Sequence, residues 1–421
     1  MSVQEIFSKH LPRVEEIIEE NCDELHKFVF NSAILSIKRS QEDSGTSSES
    51  LGMEFQENIC TISALRTFTW EMLHIGHWNK VAIGQRINYS LATFLEVFLN
   101  LQIRNNPENL IAWLEELDTG ILLGAPILSQ NGQDILKTCA SSISEEISLR
   151  QEPQSFPMTC KIQPSPSHGV TTRKIPIDTL ELPSIQEFRE KFFLPQIPVL
   201  IQNCIEHWPA RAKWSDLGYF IQRFGYRTVP IEIGSQYTES NWGQKLVRLK
   251  DFIDRQFISR KNDTIVEYLA QHDLLNQIPE LQEDIRIPDY CYISSPDNEV
   301  KSEVEVKIWF GPWGTVSPLH FDKKHNLLAQ LVGTKRLLLA DPKDSEDVYP
   351  FAGEMLSNTS QVDLENVDEL QFPNIKNVSF HEIILNSGEM LYIPPGWWHH
   401  VRALSNSISI SFWWEDKIQS L

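Results

Sequence analysis

The chain has 421 residues, with 57 acidic against 37 basic side chains and a formal net charge of −20. That excess disfavours direct nucleic-acid binding, which needs a basic patch, and suits attraction of basic peptides or protein tails. A hydrophobic content of 41% is ordinary for a globular chain with room for two domains. No apolar run reaches membrane-spanning length, since Leu91 to Leu101 is interrupted by Glu96. The start is charged from Glu5 onward, so no signal peptide is expected. Six cysteines without a Cys-x-x-Cys pair predict neither a zinc module nor a disulfide framework.

Residues 1–150 read as a helical N-terminal domain. Leu11, Val14, Ile18, Cys22, Leu25 and Val29 recur at helical spacing with glutamates on the other face. Arg39 to Met53, rich in serine around Gly45, is expected to be a linker or loop. Trp70 to Trp78 followed by Tyr89 to Phe94 has the look of one degenerate helical repeat of the tetratricopeptide kind. Such arrays need several units to bury their faces, so a plain bundle is expected, with partner docking as its use. His74 and His77 lack a third ligand and are assigned to packing or the surface. Residues 151–174, with Pro153, Pro157, Pro164 and Pro166, read as the linker to a catalytic domain at 175–421.

In that domain Val229, Ile231 and Ile233 alternate with Glu232, which alone reads as a half-exposed strand. The stretch Glu267 to His272 reads as helix-like. Glu303 to Phe310 leads through Gly311-Pro-Trp-Gly314 to His320-Phe321-Asp322. Strand side chains alternate, so His320 and Asp322 aim at one spot. A lone His-x-Asp is a weak signal. Asn326 to Asp341 reads as two apolar strands joined at Gly333-Thr334, a hairpin signal. Lys335 sits in that apolar run, either facing solvent or holding an anion. Gly388 to Leu404 reads as strand, turn, strand, and carries the pair His399-His400. Consecutive strand residues face opposite ways, so only one of the pair can join His320 and Asp322. Ser407 to Trp414 is a period-two strand with Ser407, Ser409, Ser411 and Trp413 on one face. Strands of this length with Gly/Pro turns predict an α+β chain ending in a jelly-roll or cupin-type barrel. His-x-Asp…His is the ligand pattern of a mononuclear non-haem iron(II) centre, two imidazoles and a carboxylate on one face of the metal.

Residues from about 174 to 421 resemble the JmjC family of 2-oxoglutarate-dependent oxygenases. The resemblance rests on Glu267-Tyr-Leu-Ala-Gln-His272, Ile287-Pro-Asp-Tyr-Cys291, Trp309-Phe-Gly-Pro312, Gly314-Thr-Val-Ser-Pro-Leu-His320, Asn358-Thr-Ser-Gln-Val-Asp363 and His400-Val-Arg-Ala-Leu404. It implies a double-stranded β-helix and iron(II) held by His320, Asp322 and His399, the family placing its ligand first after the Trp pair. It leaves His325 to surface or supporting hydrogen bonding. For 2-oxoglutarate it implies Lys335 as the cation for the distal carboxylate, polar donors from Tyr268, Ser317 and Asn326, and Trp413 nearby. The implied reaction uses O2, converts 2-oxoglutarate to succinate and carbon dioxide, and hydroxylates a C–H bond. On a carbon bonded to nitrogen the product sheds formaldehyde, which is demethylation. Within the family the chain is most similar to a branch described both as arginyl hydroxylases and as lysine demethylases. That implies a substrate arginine paired to Glu232, with its stem between Tyr237, Trp242 and Trp309 and contact from Gln271. A methyl-lysine pocket would be an aromatic cage, so hydroxylation of arginine in proteins, histone tails among them, is the expected activity, with nuclear residence implied by resemblance. Lysine demethylation, an arginine-directed peptidase and a non-enzymatic scaffold are the alternatives. Intact His320, Asp322, His399 and Lys335 weigh against the scaffold.

Overall fold

The computed structural model describes residues 1–42, 48–103, 107–163, 176–234, 242–261, 264–294, 303–353 and 356–416. They form two compact units, Met1–Pro153 with Ile221–Thr228, and Gln154–Phe220 with Val229–Leu421. No helix among the described residues is long and apolar enough to cross a membrane, and the six cysteines are free thiols.

The first unit is built on six helices: α1 (Val3–Asn21), α2 (Glu24–Glu42), α3 (Ser48–Leu73), α4 (Ile83–Ile103), α5 (Pro107–Leu123) and α6 (Ile135–Ser148). A capping box starts α1: the Ser2 hydroxyl accepts from the Glu5 amide, and the Glu5 carboxylate accepts from the Ser2 amide. Phe7, Leu11, Val14, Ile17 and Ile18 make its buried face, and Phe7 packs on Phe94 and Phe98 of α4 with ring centroids 5.2 and 5.5 Å apart. The apolar periodicity read across Leu11 to Val29 is broken at Cys22, where α1 ends. Asp23 then accepts from the His26 amide to start α2, and Leu25 is rotated out to solvent.

Deep in this unit Asp118 on α5 takes two bonds from the Arg227 guanidinium, at 3.0 and 2.7 Å, and one from the Thr228 amide at 2.7 Å. Both charged side chains have no solvent exposure. Removing one partner of such a pair strands the other charge, so Asp118→Asn is expected to lower stability by roughly 3–5 kcal/mol, read as a lowered unfolding midpoint in urea.

The second unit carries thirteen strands: β1 (Asp178–Glu181), β2 (Val199–Gln202), β3 (Thr228–Ile233), β4 (Gly243–Arg248), β5 (Glu267–His272), β6 (Glu305–Gly311), β7 (Val316–Phe321), β8 (His325–Val332), β9 (Thr334–Ala340), β10 (His381–Asn386), β11 (Met390–Ile393), β12 (Trp398–Ala403) and β13 (Ser407–Trp414). Nine lie in one sheet, ordered β1-β2-β11-β8-β13-β6-β5-β3-β4, and four in another, ordered β10-β9-β12-β7. β1 and β2 pair in parallel, while the pairs from β2–β11 through β5–β3 and those of the small sheet are antiparallel. This is the expected double-stranded β-helix, in a chain that also carries α-helices.

Gly333 (φ +79°) does join two apolar strands, but β8 and β9 do not pair with each other. The chain steps there from the large sheet to the small one. The expected hairpin is therefore a corner, and a Cβ at Gly333 would lie 2.0 Å from the Asn406 carbonyl oxygen. Every residue of β8, β9 and β13 is buried, which is why their sequence gives no inside-outside signal. Glu267 to His272 is strand β5 and not helix-like. Between Leu269 and His272 it has one residue more than β6 opposite, and Gln271 there adopts φ +51°.

Residues 154–163, within the expected linker, are hydrogen-bonded onto the second unit: Met158 N–H donates to Ser215 O, and Gln163 N–H to Leu404 O. Residues 164–174 of the linker lie outside the described residues.

Candidate metal centre and cosubstrate cavity

Strand register assembles the metal-ligating cluster. On the small sheet β12 runs antiparallel to β7 with His399 opposite His320, a separation at which facing side chains meet. Asp322 follows the last residue of β7, two residues beyond His320. The nearest ligand atoms of His320, Asp322 and His399 lie within 4.8 Å of one another, with His399 Nε2 3.8 Å from Asp322 Oδ2.

β7 has one residue more than β12 between Ser317 and His320. Pro318 falls in this bulge, and proline has no N–H to give the ladder. The extra residue resets the alternation, so Ser317 and His320, three positions apart, line one cavity.

The imidazoles are oriented by the backbone. His320 Nδ1 is 2.7 Å from the Pro318 carbonyl oxygen and His399 Nδ1 is 3.0 Å from that of Trp397. A carbonyl only accepts, so each Nδ1 carries the hydrogen and each Nε2 keeps a lone pair. Burial first, and then the His320 ring, push His399 down to about 4, which keeps it neutral as a ligand must be. Asp322 Oδ2 accepts from Trp413 Nε1 at 3.1 Å. Asn326 Nδ2 approaches the same oxygen at 3.5 Å. Two imidazoles and a carboxylate, converging in a protein-lined cavity, are a donor set that fits iron(II).

His400 turns away from this cluster. Its Nε2 lies 3.5 Å from Glu365 Oε1, and burial, with Arg336 and Arg402 beside it, pushes it down to about 3. His325 is not a surface residue. It is buried between the rings of Phe193 and Trp414, at 4.5 and 5.2 Å, with Nδ1 2.8 Å from the Tyr392 hydroxyl.

A small cavity beside the cluster is lined by Trp309, Ser317, Asn326, Leu328, Lys335 and Ser411. Lys335 is 2% exposed. Its ammonium donates to the Tyr268 hydroxyl at 3.2 Å and lies 5.8 and 5.9 Å from the rings of Tyr268 and Trp309. No carboxylate pairs with it among the described residues, and burial alone pushes it down to about 7. A buried cation without its anion, lining one cavity with three metal-ligating groups, fits a dicarboxylate that also chelates metal. Gly311 makes room for Tyr268: a Cβ there would sit 2.4 Å from the Tyr268 ring.

A second cavity opens on the outer side of the cluster. Glu232, Trp242, Gln244, Gln271, Leu356, Asn358 and Thr359 line it, together with Tyr268, Trp309, His320, Asp322 and Trp413. Glu232 is paired across the sheet with Tyr268 and accepts from Trp242 Nε1 at 3.2 Å. Burial raises the Glu232 carboxyl, while bonds from Trp242 and Gln244 act the other way. Trp309 lines both cavities, as do Ser317 and Trp413, and its Nε1 donates to Ser411 Oγ at 3.0 Å. Tyr237 lies outside the described residues.

All the other expected site residues meet in these two cavities. Sequence reasoning missed Gln244, Leu328, Ser411, Leu356, Asn358 and Thr359. Ser411 shares the period-two face of Trp413, and Asn358-Thr359 fall in a stretch that carries the resemblance, so both left a trace. Gln244 and Leu356 left none.

A β-helix barrel with this cluster at its mouth defines a cupin-type architecture, and residues 185–420 match the family model described as a cupin-like domain. The chain belongs to the JmjC branch of that family, the iron(II)- and 2-oxoglutarate-dependent oxygenases. It is 40% identical to Jumonji C domain-containing protein 5 of Drosophila melanogaster, over 86% of this chain and 88% of the relative. It is 39% identical to Lysine-specific demethylase 8 of Danio rerio over 86% and 89%. It is 36% identical to Lysine-specific demethylase JMJ30 of Arabidopsis thaliana over 85% and 86%.

Proposed function

We propose that the chain hydroxylates arginine residues of protein substrates, with iron(II) held by His320, Asp322 and His399 and 2-oxoglutarate anchored by Lys335. The observation that carries the arginine assignment is Glu232. Its desolvated carboxylate stands in the outer cavity beside Trp242 and Trp309. A guanidinium offers paired N–H groups to a carboxylate and a flat face to an aromatic wall, whereas a methylated ammonium needs only the wall. The net charge of −20 supports basic, protein-borne substrates, histone tails included, and the demethylase names of two relatives support work in the nucleus.

The bound iron would couple decarboxylation of 2-oxoglutarate to oxidation of a substrate C–H bond by O2. The chain's own contribution is positioning. Lys335, Tyr268, Ser317 and Asn326 hold the cosubstrate, with Trp413 and Asn326 keeping the Asp322 carboxylate turned to the metal. Glu232, Trp242, Trp309 and Gln271 hold the arginine, joined by Tyr237 from the sequence resemblance.

Lysine demethylation is the second reading, favoured by the names of those relatives. Matched peptides carrying arginine or methyl-lysine, incubated with iron(II), 2-oxoglutarate and air, separate the two by mass. One oxygen gained on arginine supports the proposal; loss of methyl from lysine with arginine untouched overturns it. Glu232→Gln keeps shape and removes charge. It is expected to raise KM for the arginine peptide by about 10²-fold, as for an unpaired buried ion contact, while 2-oxoglutarate affinity stays unchanged. Because burial raises the Glu232 carboxyl, arginine-peptide KM should rise as acidification protonates it, and Glu232→Gln should lose that pH dependence.

A further inference from the structure

β7 carries His320 and is the edge strand of the small sheet, and an edge leaves backbone groups unpaired. Residues 358–360 cover it. Phe321 N–H donates to Asn358 O at 2.9 Å, Ser360 N–H donates to Leu319 O at 2.8 Å, and Asn358 Nδ2 donates to Phe321 O at 3.0 Å. Thr359 stands opposite His320. This short segment therefore lies along the ligand strand, and its side chains Asn358 and Thr359 form the wall of the outer cavity shared with Glu232. The bond from Nδ2 fixes the Asn358 amide and leaves Oδ1 as an acceptor in that wall.

Five residues beyond Ser360, the chain is fastened again. Glu365 makes a charged hydrogen bond with Arg402, three residues after His399 on β12. Glu365 Oε1 and His400 Nε2, 3.5 Å apart, have no other partner among the described residues. Arg402 lies directly across from Arg336 of β9, and Arg336 pairs with Glu382 at 2.5 Å. Two arginines side by side on a sheet repel, so Glu365 answers a charge that β12 and β9 create. It is also flanked by the buried Val362 and Leu364.

We propose that Glu365 is a positioning residue for substrate. By locking onto β12 through Arg402 it holds the Asn358-Thr359 wall against β7, so the wall and both histidine-bearing strands move as one body. Asn358 Oδ1 is then an acceptor for N–H groups of the bound peptide, complementing Glu232. This rests on the outer cavity being the substrate site.

The test is a double-mutant cycle on the full chain, with Glu365→Gln, Asn358→Ala and the pair, and Glu232→Gln alongside. Glu365→Gln and Asn358→Ala are each expected to raise KM for the arginine peptide about tenfold with kcat within about twofold. The pair should be little worse than either alone, because both act through one wall. Calorimetric binding of 2-oxoglutarate to the Mn(II)-loaded protein should be unchanged in all three, and Glu365→Asp should restore KM. A purely structural role would lower the unfolding temperature and disturb 2-oxoglutarate binding and kcat together, and that result overturns the proposal, as does additive loss. If Glu365→Gln fails to fold, Asn358→Ala, which leaves the ion pair intact, decides alone: an unchanged KM rejects the wall. If Glu232→Gln raises KM and the other two do not, only this inference falls. If none of them moves KM, the assignment of the substrate cavity fails, and the wall with it.

Discussion

His399→Ala is expected to abolish metal-dependent turnover of 2-oxoglutarate, whereas His400→Ala leaves it largely intact. The two imidazoles are neighbours in sequence, equally buried and both held neutral by their surroundings, so composition does not separate them. Position does. His399 faces His320 across the β7–β12 ladder, while His400 projects from the other face toward Glu365. Deleting one of three ligands leaves two, and affinity should fall by more than the roughly 10–100-fold typical of losing a group that merely supports a ligand. We expect at least about 10³-fold less succinate production and metal titration without saturation in the micromolar range. His400→Ala should bind metal within about threefold of the parent, since His400 faces Glu365 and supports none of the three ligands. Equal loss in both variants would sink the assignment.

Lys335→Met should make the ligand-free protein more stable and the enzyme nearly inactive. Burial alone pushes the Lys335 ammonium down to about 7. The unfolded chain holds that proton up to the ordinary lysine range, so between about pH 7 and pH 10 it binds more protons than the folded one. Stability of the ligand-free protein therefore rises with pH across that window, and below it the full cost of a buried cation applies. Methionine matches the stem and removes the cost, on the order of 2–4 kcal/mol at neutral pH. The unfolding temperature should rise accordingly, and its pH slope should flatten. The same substitution strands the distal carboxylate of 2-oxoglutarate, at about 2–5 kcal/mol, so Kd should rise by roughly 10²–10³-fold or more. A destabilised Lys335→Met protein, or one that binds 2-oxoglutarate normally, would remove Lys335 from its proposed role.

Much of this was legible without coordinates because it is local. Alternation along one strand puts His320 and Asp322 together, and a lysine in an apolar run raises the question of an anion. The JmjC stretches supply the barrel and the pairing of these residues with His399. The helical reading of residues 267–272 failed because a bulge with Gln271 at positive φ breaks the period-two signal. The hairpin at Gly333 failed because a glycine between two apolar strands looks the same whether they pair or part.

By itself, then, the sequence determined the class of fold, the ligand types and the charge that favours basic substrates, since these follow from residue identity and short-range period. Only the tertiary structure decided which faces turn inward. It put the serine face of β13 inside the barrel, Ser317 beside His320 through the Pro318 bulge, Lys335 away from solvent and His400 against Glu365. In strands buried on both faces, hydrophobicity no longer marks a side. Register between segments some 80 residues apart then sets the geometry, and register is a property of the packed sheets.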